Sequence, residues 1–181
     1  MKHKSWKTLD SKVFNDNGFW QYKIDSFEID ETVRGTYHYV HSPGSTLIIP
    51  FKNDTTVVLV HQYRYLMGES FYEFPCGAVK KGLTPEENAQ IELREETGYA
   101  AGTLSFKGKF APYNGVTDEW CHVFSASELT VFPLAPEETE DLYVEEFTLP
   151  QVQNLIREGR FQDGMSLAAW SMLNLTGGVL P

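Results

Sequence analysis

The segment 84–98 is held to one conformation more firmly than any other part of this chain. Thr84 stands before Pro85 and is followed three residues later by Glu87. That order supplies a hydroxyl cap, a proline whose missing N–H would have had no helical partner, and a carboxylate that can reach back to the cap amide. At the far end Gly98 offers the left-handed residue that closes a helix. Between them Ala89 and Leu93 form an apolar stripe that needs a core to cover it. Glu92, Glu95 and Glu96 fall at i, i+3 and i+4, so all three carboxylates share one face. Like charges at such spacings cost roughly 0.2–0.5 kcal/mol per pair in an isolated helix. A divalent cation that prefers oxygen ligands would reverse that penalty. The plain alternative is a solvated acidic face.

Around this helix the chain is patterned for strands. Asp16-Asn17-Gly18 is a tight-turn signal, and Trp20, Tyr22 and Ile24 follow at period two. Residues 34–41 are rich in Thr, Tyr and Val, Pro43-Gly44 interrupts them, and 45–51 resumes. After a polar turn at 52–55, the run TVVLVHQYR at 56–64 reads as a buried strand from its β-branched content. Further strands are expected at about 103–110, 119–126 and 141–148, with helices near 150–158 and 165–173. The sum is a mixed α+β pattern without a sequence repeat. With 181 residues, 41% of them hydrophobic, the chain makes one globular domain with room for a small appended lobe.

A formal net charge of −10 excludes a nucleic-acid surface, which needs clustered Lys and Arg. Any bound phosphate must therefore be held locally, by metal ions or a few well-placed basic groups. The first seven residues carry basic side chains but no apolar segment follows them, and the longest apolar runs, 47–50 and 57–60, are too short to span a bilayer. Cys76 and Cys121 make neither a disulfide framework nor zinc-ligand spacing. A soluble, cytoplasmic protein that engages no membrane is the expectation. His38 and His41 lie three apart on a strand and face opposite ways, which makes them poor joint ligands. Cys121 and His122 read as structural. Trp20, Phe27, Tyr37 and Tyr39 have the rings to stack on a purine, with core or dimer packing the simpler reading of each.

Residues 77–99 read GAVKKGLTPEENAQIELREETGY. This resembles the Nudix box: Gly, five residues, Glu, seven residues, then Arg-Glu-apolar-x-Glu-Glu-x-Gly-apolar. Gly77, Glu92, Leu93, Glu95, Glu96, Gly98 and Tyr99 fall in register. The two departures are Leu83, where the box has Glu, and Ile91, where it has Arg. An arginine at 91 would stand four residues before Glu95 and pair with it; with Ile91 there, Glu95 loses that orienting partner. Residues 57–77 (VVLVHQYRYLMGESFYEFPCG) resemble the lead-in of the ADP-sugar pyrophosphatase branch, and 165–170, after Ile156-Arg157-Glu158-Gly159, resemble its C-terminal helices.

The resemblance implies a Nudix α/β/α sandwich with a mixed sheet over 45–181, and an N-terminal antiparallel β region over 1–44 that helps build a homodimer. It implies Mg²⁺, with Mn²⁺ as a substitute, held by the Cys76 backbone carbonyl, Glu92 and Glu96, with Glu95 close by. Arg64 matches a phosphate-contacting arginine, whose fork suits a diphosphate. Glu138-Thr139-Glu140-Asp141-Leu142 matches a loop in which the first glutamate is the base (Glu138) and the second an auxiliary metal ligand (Glu140). Residues 111–119 (APYNGVTDE) resemble a substrate-lining loop, with Tyr113 and Glu119 at its pocket positions. Tyr37 and His38 stand where the branch often has an Arg-Glu pair that contacts substrate. The implied activity is hydrolysis of the diphosphate bond of a nucleoside diphosphate sugar, ADP-ribose first, to AMP and ribose 5-phosphate. The alternatives are the same chemistry on GDP-mannose, another nucleotide sugar or a dinucleoside polyphosphate, and a Nudix-fold sensor that binds without cleaving.

Overall fold

The computed structural model describes residues 3–135 and 141–175. They form β1 (Trp6–Asp16), β2 (Gln21–Ile29), β3 (Val33–His41), β4 (Ser45–Asn53), β5 (Thr56–Arg64), β6 (Glu69–Glu73), β7 (Cys76–Ala78), α1 (Pro85–Thr97), β8 (Tyr99–Phe110), β9 (Cys121–Val131), β10 (Leu142–Thr148), α2 (Leu149–Arg157) and α3 (Gly164–Leu175). The chain divides into two compact units. One comprises Met1–Pro43 with Tyr113–Glu119, the other Gly44–Pro112 with Trp120–Pro181.

The smaller unit is an antiparallel sheet, β1-β2-β3. Its first hairpin closes at the turn foreseen from Asp16-Asn17-Gly18. The Asp16 carboxylate accepts the Gly18 amide at 2.9 Å, the Asn17 side chain accepts those of Phe19 and Trp20, and Gly18 takes φ +87°. Phe27 lies across Gly35, where a Cβ would come within 2.7 Å of the ring, and Trp6 packs on Phe27 at 4.8 Å. His38 and His41 go to different partners, Tyr22 and Asp118.

The larger unit is built on a mixed sheet of order β10-β5-β4-β9-β8, with β6 added on β5 and β7 on β4. Among the described strands of this sheet, β4 and β9 are the parallel pair. β4 shows why helices cover both faces. Side chains alternate across a strand, and on β4 every residue from Ser45 to Phe51 is buried. Leu47, Ile49 and Phe51 join a cluster with Leu149, Val152 and Leu155 of α2 and Ala169, Trp170 and Leu173 of α3. Ile48 points the other way, to Ala89 and Leu93 of α1 with Phe124 and Ala126 of β9. The result is an α/β/α sandwich, and the apolar stripe of α1 is buried as its spacing requires.

α1 begins and ends as the sequence predicts. Thr84 and Glu87 form a reciprocal capping box, Pro85 occupies the first turn, and Gly98 closes the helix at φ +74°. Elsewhere the bounds shift. β8 starts at Tyr99 rather than near 103, because pairing of Tyr99–Ala101 with Leu129–Val131 overrides the weak strand propensity of Ala-Ala-Gly. Gly102 is needed there, since a Cβ would strike the Glu128 side chain at 2.8 Å. β7 has only three residues, too few for any period to be read.

The cap is a separable source of stability. Thr84→Ala should cost about 1 kcal/mol, lowering the melting temperature by about 2–4 °C. The Thr84 amide and hydroxyl also hold the Glu87 carboxyl below its ordinary range, so the carboxylate half of the box is present near neutrality and fades as acid protonates Glu87. Thermal unfolding of both proteins at neutral and acid pH checks the size and its pH dependence.

Candidate active site

Residues with chemistry gather where α1 passes β7. The Glu92 and Glu96 side chains are nearly buried, at 6% and 4% exposed. Burying two carboxylates demands hydrogen bonds or counter-charge. The backbone amide of Cys76 donates to Glu96 Oε2 at 3.3 Å. Glu92 lies flush on Gly77, where a Cβ would sit 2.2 Å from Oε2, so no other residue fits at 77 without moving the carboxylate. The Asn88 amide nitrogen, one turn earlier, approaches Glu92 Oε1 at 3.5 Å and donates to Thr46 Oγ1 at 3.0 Å.

Lys80 brings the positive charge. Its ammonium is 2.5 Å from Glu95 Oε2 and 3.4 Å from Glu92 Oε1. Burial pulls the Lys80 pKa down, but the pairing with Glu95 and Glu92 outweighs it and holds the group above the usual lysine value. The three carboxylates therefore do share a face, and a cation already sits against two of them.

A second charged group stands at the ends of β5 and β6. The Arg64 guanidinium forms a two-point fork on Glu73, through Nε to Oε1 at 2.9 Å and through Nη2 to Oε2. Burial pushes the Glu73 carboxyl above its ordinary value although Arg64 pulls it back, while Arg64 is raised by its bond to Glu73. Asp163, which caps the start of α3 through the Ser166 amide at 2.7 Å, acts electrostatically on the same pair. A hollow of about 730 Å³ opens here, lined by Arg64, Tyr65, Leu66, Phe71, Glu73 and Asp163 among others. The Cys76 thiol is pushed well up by its contact with Cys121 and by burial. It has none of the thiolate character a nucleophile needs, and Cys121 is structural, as expected.

The NUDIX domain pattern matches this chain over residues 41–167. The chain belongs to the Nudix family. It is 30% identical over 171 residues to the methanol dehydrogenase activator of Bacillus methanolicus, covering 93% of this chain and 92% of that one. It is 29% identical over 177 residues to the ADP-ribose pyrophosphatase of Bacillus subtilis (strain 168), covering 97% and 96%. Its fold is similar to the crystal structure of an ADP compounds hydrolase, with a TM-score of 0.82, 19% identity and 98% of each chain covered.

Nudix hydrolases use a divalent metal, and the residues present fit one. The Lys80 ammonium shows that the carboxylate face accepts a cation. The donors on offer are oxygens, which suits a hard ion. Among the described residues no three His, Cys, Asp or Glu side chains converge on a single point. An ion here would therefore draw on a backbone carbonyl, water and substrate oxygens as well, a habit of Mg²⁺ in phosphate chemistry.

The remaining candidates of this Nudix chain belong to the smaller unit or lie outside the described residues. Tyr37, Tyr113 and Glu119 belong to the smaller unit. Tyr37 donates to the Gly115 carbonyl at 3.3 Å, Tyr113 is exposed, and the Glu119 amide is held by Thr117. In that unit a hollow of about 420 Å³ is lined by Trp6, Phe27, Tyr37, Tyr39, Asn114 and Thr117 among others. Glu137, Glu138 and Glu140 lie outside the described residues; Asp141 follows them, its carbonyl accepting the Tyr63 amide at 3.0 Å. Lys80, Glu73 and Asn88 were not singled out by sequence reasoning. The signal for Asn88 was its place four residues before Glu92, and for Lys80 the pair of lysines between the box glycine and the helix.

Removing Arg64 tests the charge balance around Glu73. Arg64→Met should destabilise the protein by about 2 kcal/mol at neutral pH, less than the roughly 3–5 of a fully buried pair because Arg64 is partly exposed. Glu73 already titrates above its unfolded value, and losing its partner raises it further. The deficit should therefore shrink as pH falls and Glu73 gains a proton. Denaturant unfolding at several pH values measures this.

Proposed function

We propose that this chain is a Mg²⁺-dependent pyrophosphatase of nucleoside diphosphate sugars, acting in the cytoplasm, with ADP-ribose as its first substrate and AMP and ribose 5-phosphate as products. The observation that supports it most is the nearly buried carboxylate pair, Glu92 and Glu96, pressed against Gly77 and the Cys76 amide on one face of α1. A structural helix has no use for such crowding.

Bound divalent ions would neutralise charge on the diphosphate and acidify a water molecule. Glu92, Glu96 and the Cys76 carbonyl would hold those ions, with Glu95 beside them. Arg64, fixed in orientation by Glu73, turns its remaining N–H groups to a phosphate. Glu138 takes the proton from the attacking water and Glu140 assists at the metal; a loop carboxylate can do this once charged substrate has arrived. Tyr37, Tyr113 and Glu119 are assigned to the substrate from the resemblance of their segments.

Incubation with ADP-ribose and Mg²⁺, with the products separated, tests the reading directly. Glu96→Gln should lower turnover at least a hundredfold, several kcal/mol of lost charge stabilisation; a variant with full turnover removes α1 from the chemistry. Leu83 and Ile91 favour a second reading, a sensor that binds nucleotide and leaves it whole. Calorimetry with recovery of intact ligand would mark that outcome, and GDP-mannose in the same panel tests the sugar and base.

The homodimer is part of the proposal. β1 is exposed along its whole length, and Trp6, Phe14, Phe19 and Val33 of the smaller unit present large apolar surface. Sedimentation should give twice the 20.6 kDa chain mass, and a monomer at micromolar concentration would reject it.

A further inference from the structure

Lys80 has no counterpart in the Nudix box pattern, yet it is the cation that meets the α1 carboxylates. We propose that Lys80 is a positioning residue of the metal site, replacing from the β7–α1 loop the arginine whose place on the helix is taken by Ile91. This rests on the metal-dependent reading above.

Several contacts fix the root of the side chain. The Lys80 amide donates to Asn88 Oδ1 at 2.9 Å, and Asn88 is fully buried with its own amide on Thr46. Val79 donates to the Gly44 carbonyl and Leu83 to the Lys80 carbonyl, and Gly82 at φ +87° makes the turn into the helix. A lysine pinned at its backbone reaches a defined place. There its ammonium holds Glu95 at 2.5 Å and touches Glu92 at 3.4 Å. The nearest cation on α1 does not compete for the role: Arg94 Nε donates to the Phe132 carbonyl at 2.9 Å, and its guanidinium lies 4.3 Å from the Phe132 ring. The ammonium thus orients Glu95 most closely and Glu92 beside it, while the Cys76 amide holds Glu96.

Positioning and simple electrostatics predict opposite signs. A lysine that merely occupied the site would compete with a metal, and its loss would tighten binding. A lysine that orients ligand carboxylates supports binding, and groups of this kind are worth roughly 10–100-fold in affinity or activity. The experiment is Mn²⁺ titration of the full chain without substrate, followed by electron paramagnetic resonance, with kcat and KM for ADP-ribose measured alongside. Lys80→Met should weaken Mn²⁺ about tenfold and lower kcat with little change in KM. Lys80→Arg should retain most of both. Adding Ile91→Arg to Lys80→Met should restore most of the loss by returning a cation to Glu95 from the helix. Thermal unfolding establishes that each variant is folded, and Lys80→Gln replaces Lys80→Met if that one is not. Tighter or unchanged Mn²⁺ binding in the folded Lys80 variant, or no recovery in the folded double variant, overturns the proposal. Wild type that binds no Mn²⁺ instead overturns the metal-dependent reading itself.

Discussion

Mutual repulsion among Glu92, Glu95 and Glu96 is the constraint around which the larger unit is arranged. Helical spacing forces the three together, and packing then removes most of the water that would have screened them. The compensation comes from one neighbouring segment. β7 and the loop after it contribute the Cys76 amide, the bare Cα of Gly77 and the Lys80 ammonium. Each would be useless a few ångströms away, because charge-assisted hydrogen bonds need contact distances. The box glycine serves close approach, independent of any turn: a Cβ at 77 would meet the Glu92 carboxylate and displace it from its place on α1.

What puts β7 in that place is β4. Leu47 pairs with Cys76, Thr46 with Gly77 and Ser45 with Ala78, while the far end of the same strand pairs with β5 at Phe51 and Asn53. On its other edge β4 runs parallel to β9. Its side chains divide between the two hydrophobic clusters, and the hydroxyl of Thr46 anchors Asn88 on α1. Core and site are consequently not independent. Densely packed interiors transmit displacement, so a change of volume at Ile48 or Leu93 would be felt at the carboxylates through the same strand and helix.

The parts legible in the sequence were those governed by local rules. Thr84, Pro85, Glu87 and Gly98 bounded α1 because capping depends on residues within one turn. The run at 56–64 matched β5 end for end because β-branched residues in a buried strand leave little choice. The parts not legible depend on partners far away in the chain. β7 is a strand only because β4 lies beside it. Lys80 is one lysine of two, and nothing in its own neighbourhood says that the next element will bring Glu95 to it, fifteen residues on. Glu73 was hidden for the same reason: its partner, Arg64, reaches it through the β5–β6 pairing, in which Arg64 lies opposite Glu69 and Val60 opposite Glu73.

The Arg64–Glu73 fork narrows how an anion can be held in this protein. A guanidinium already gripped at two nitrogens loses little further freedom when a phosphate arrives, so it binds with a small ordering cost. Its charge is also offset by the Glu73 carboxylate, and Asp163 adds negative potential beside it. With a net charge of −10 over the chain, Arg64 and Lys80 together cannot offset both the carboxylates and a diphosphate. Lys80 is moreover committed to Glu95. In the proposed reaction the remaining attraction for a polyanion would come from a divalent cation, which takes oxygen ligands. Metal dependence in the proposed reaction would follow from this charge balance as much as from the shape of α1: Glu92 and Glu96, which repel a bare diphosphate, would hold the divalent ion that supplies the missing positive charge.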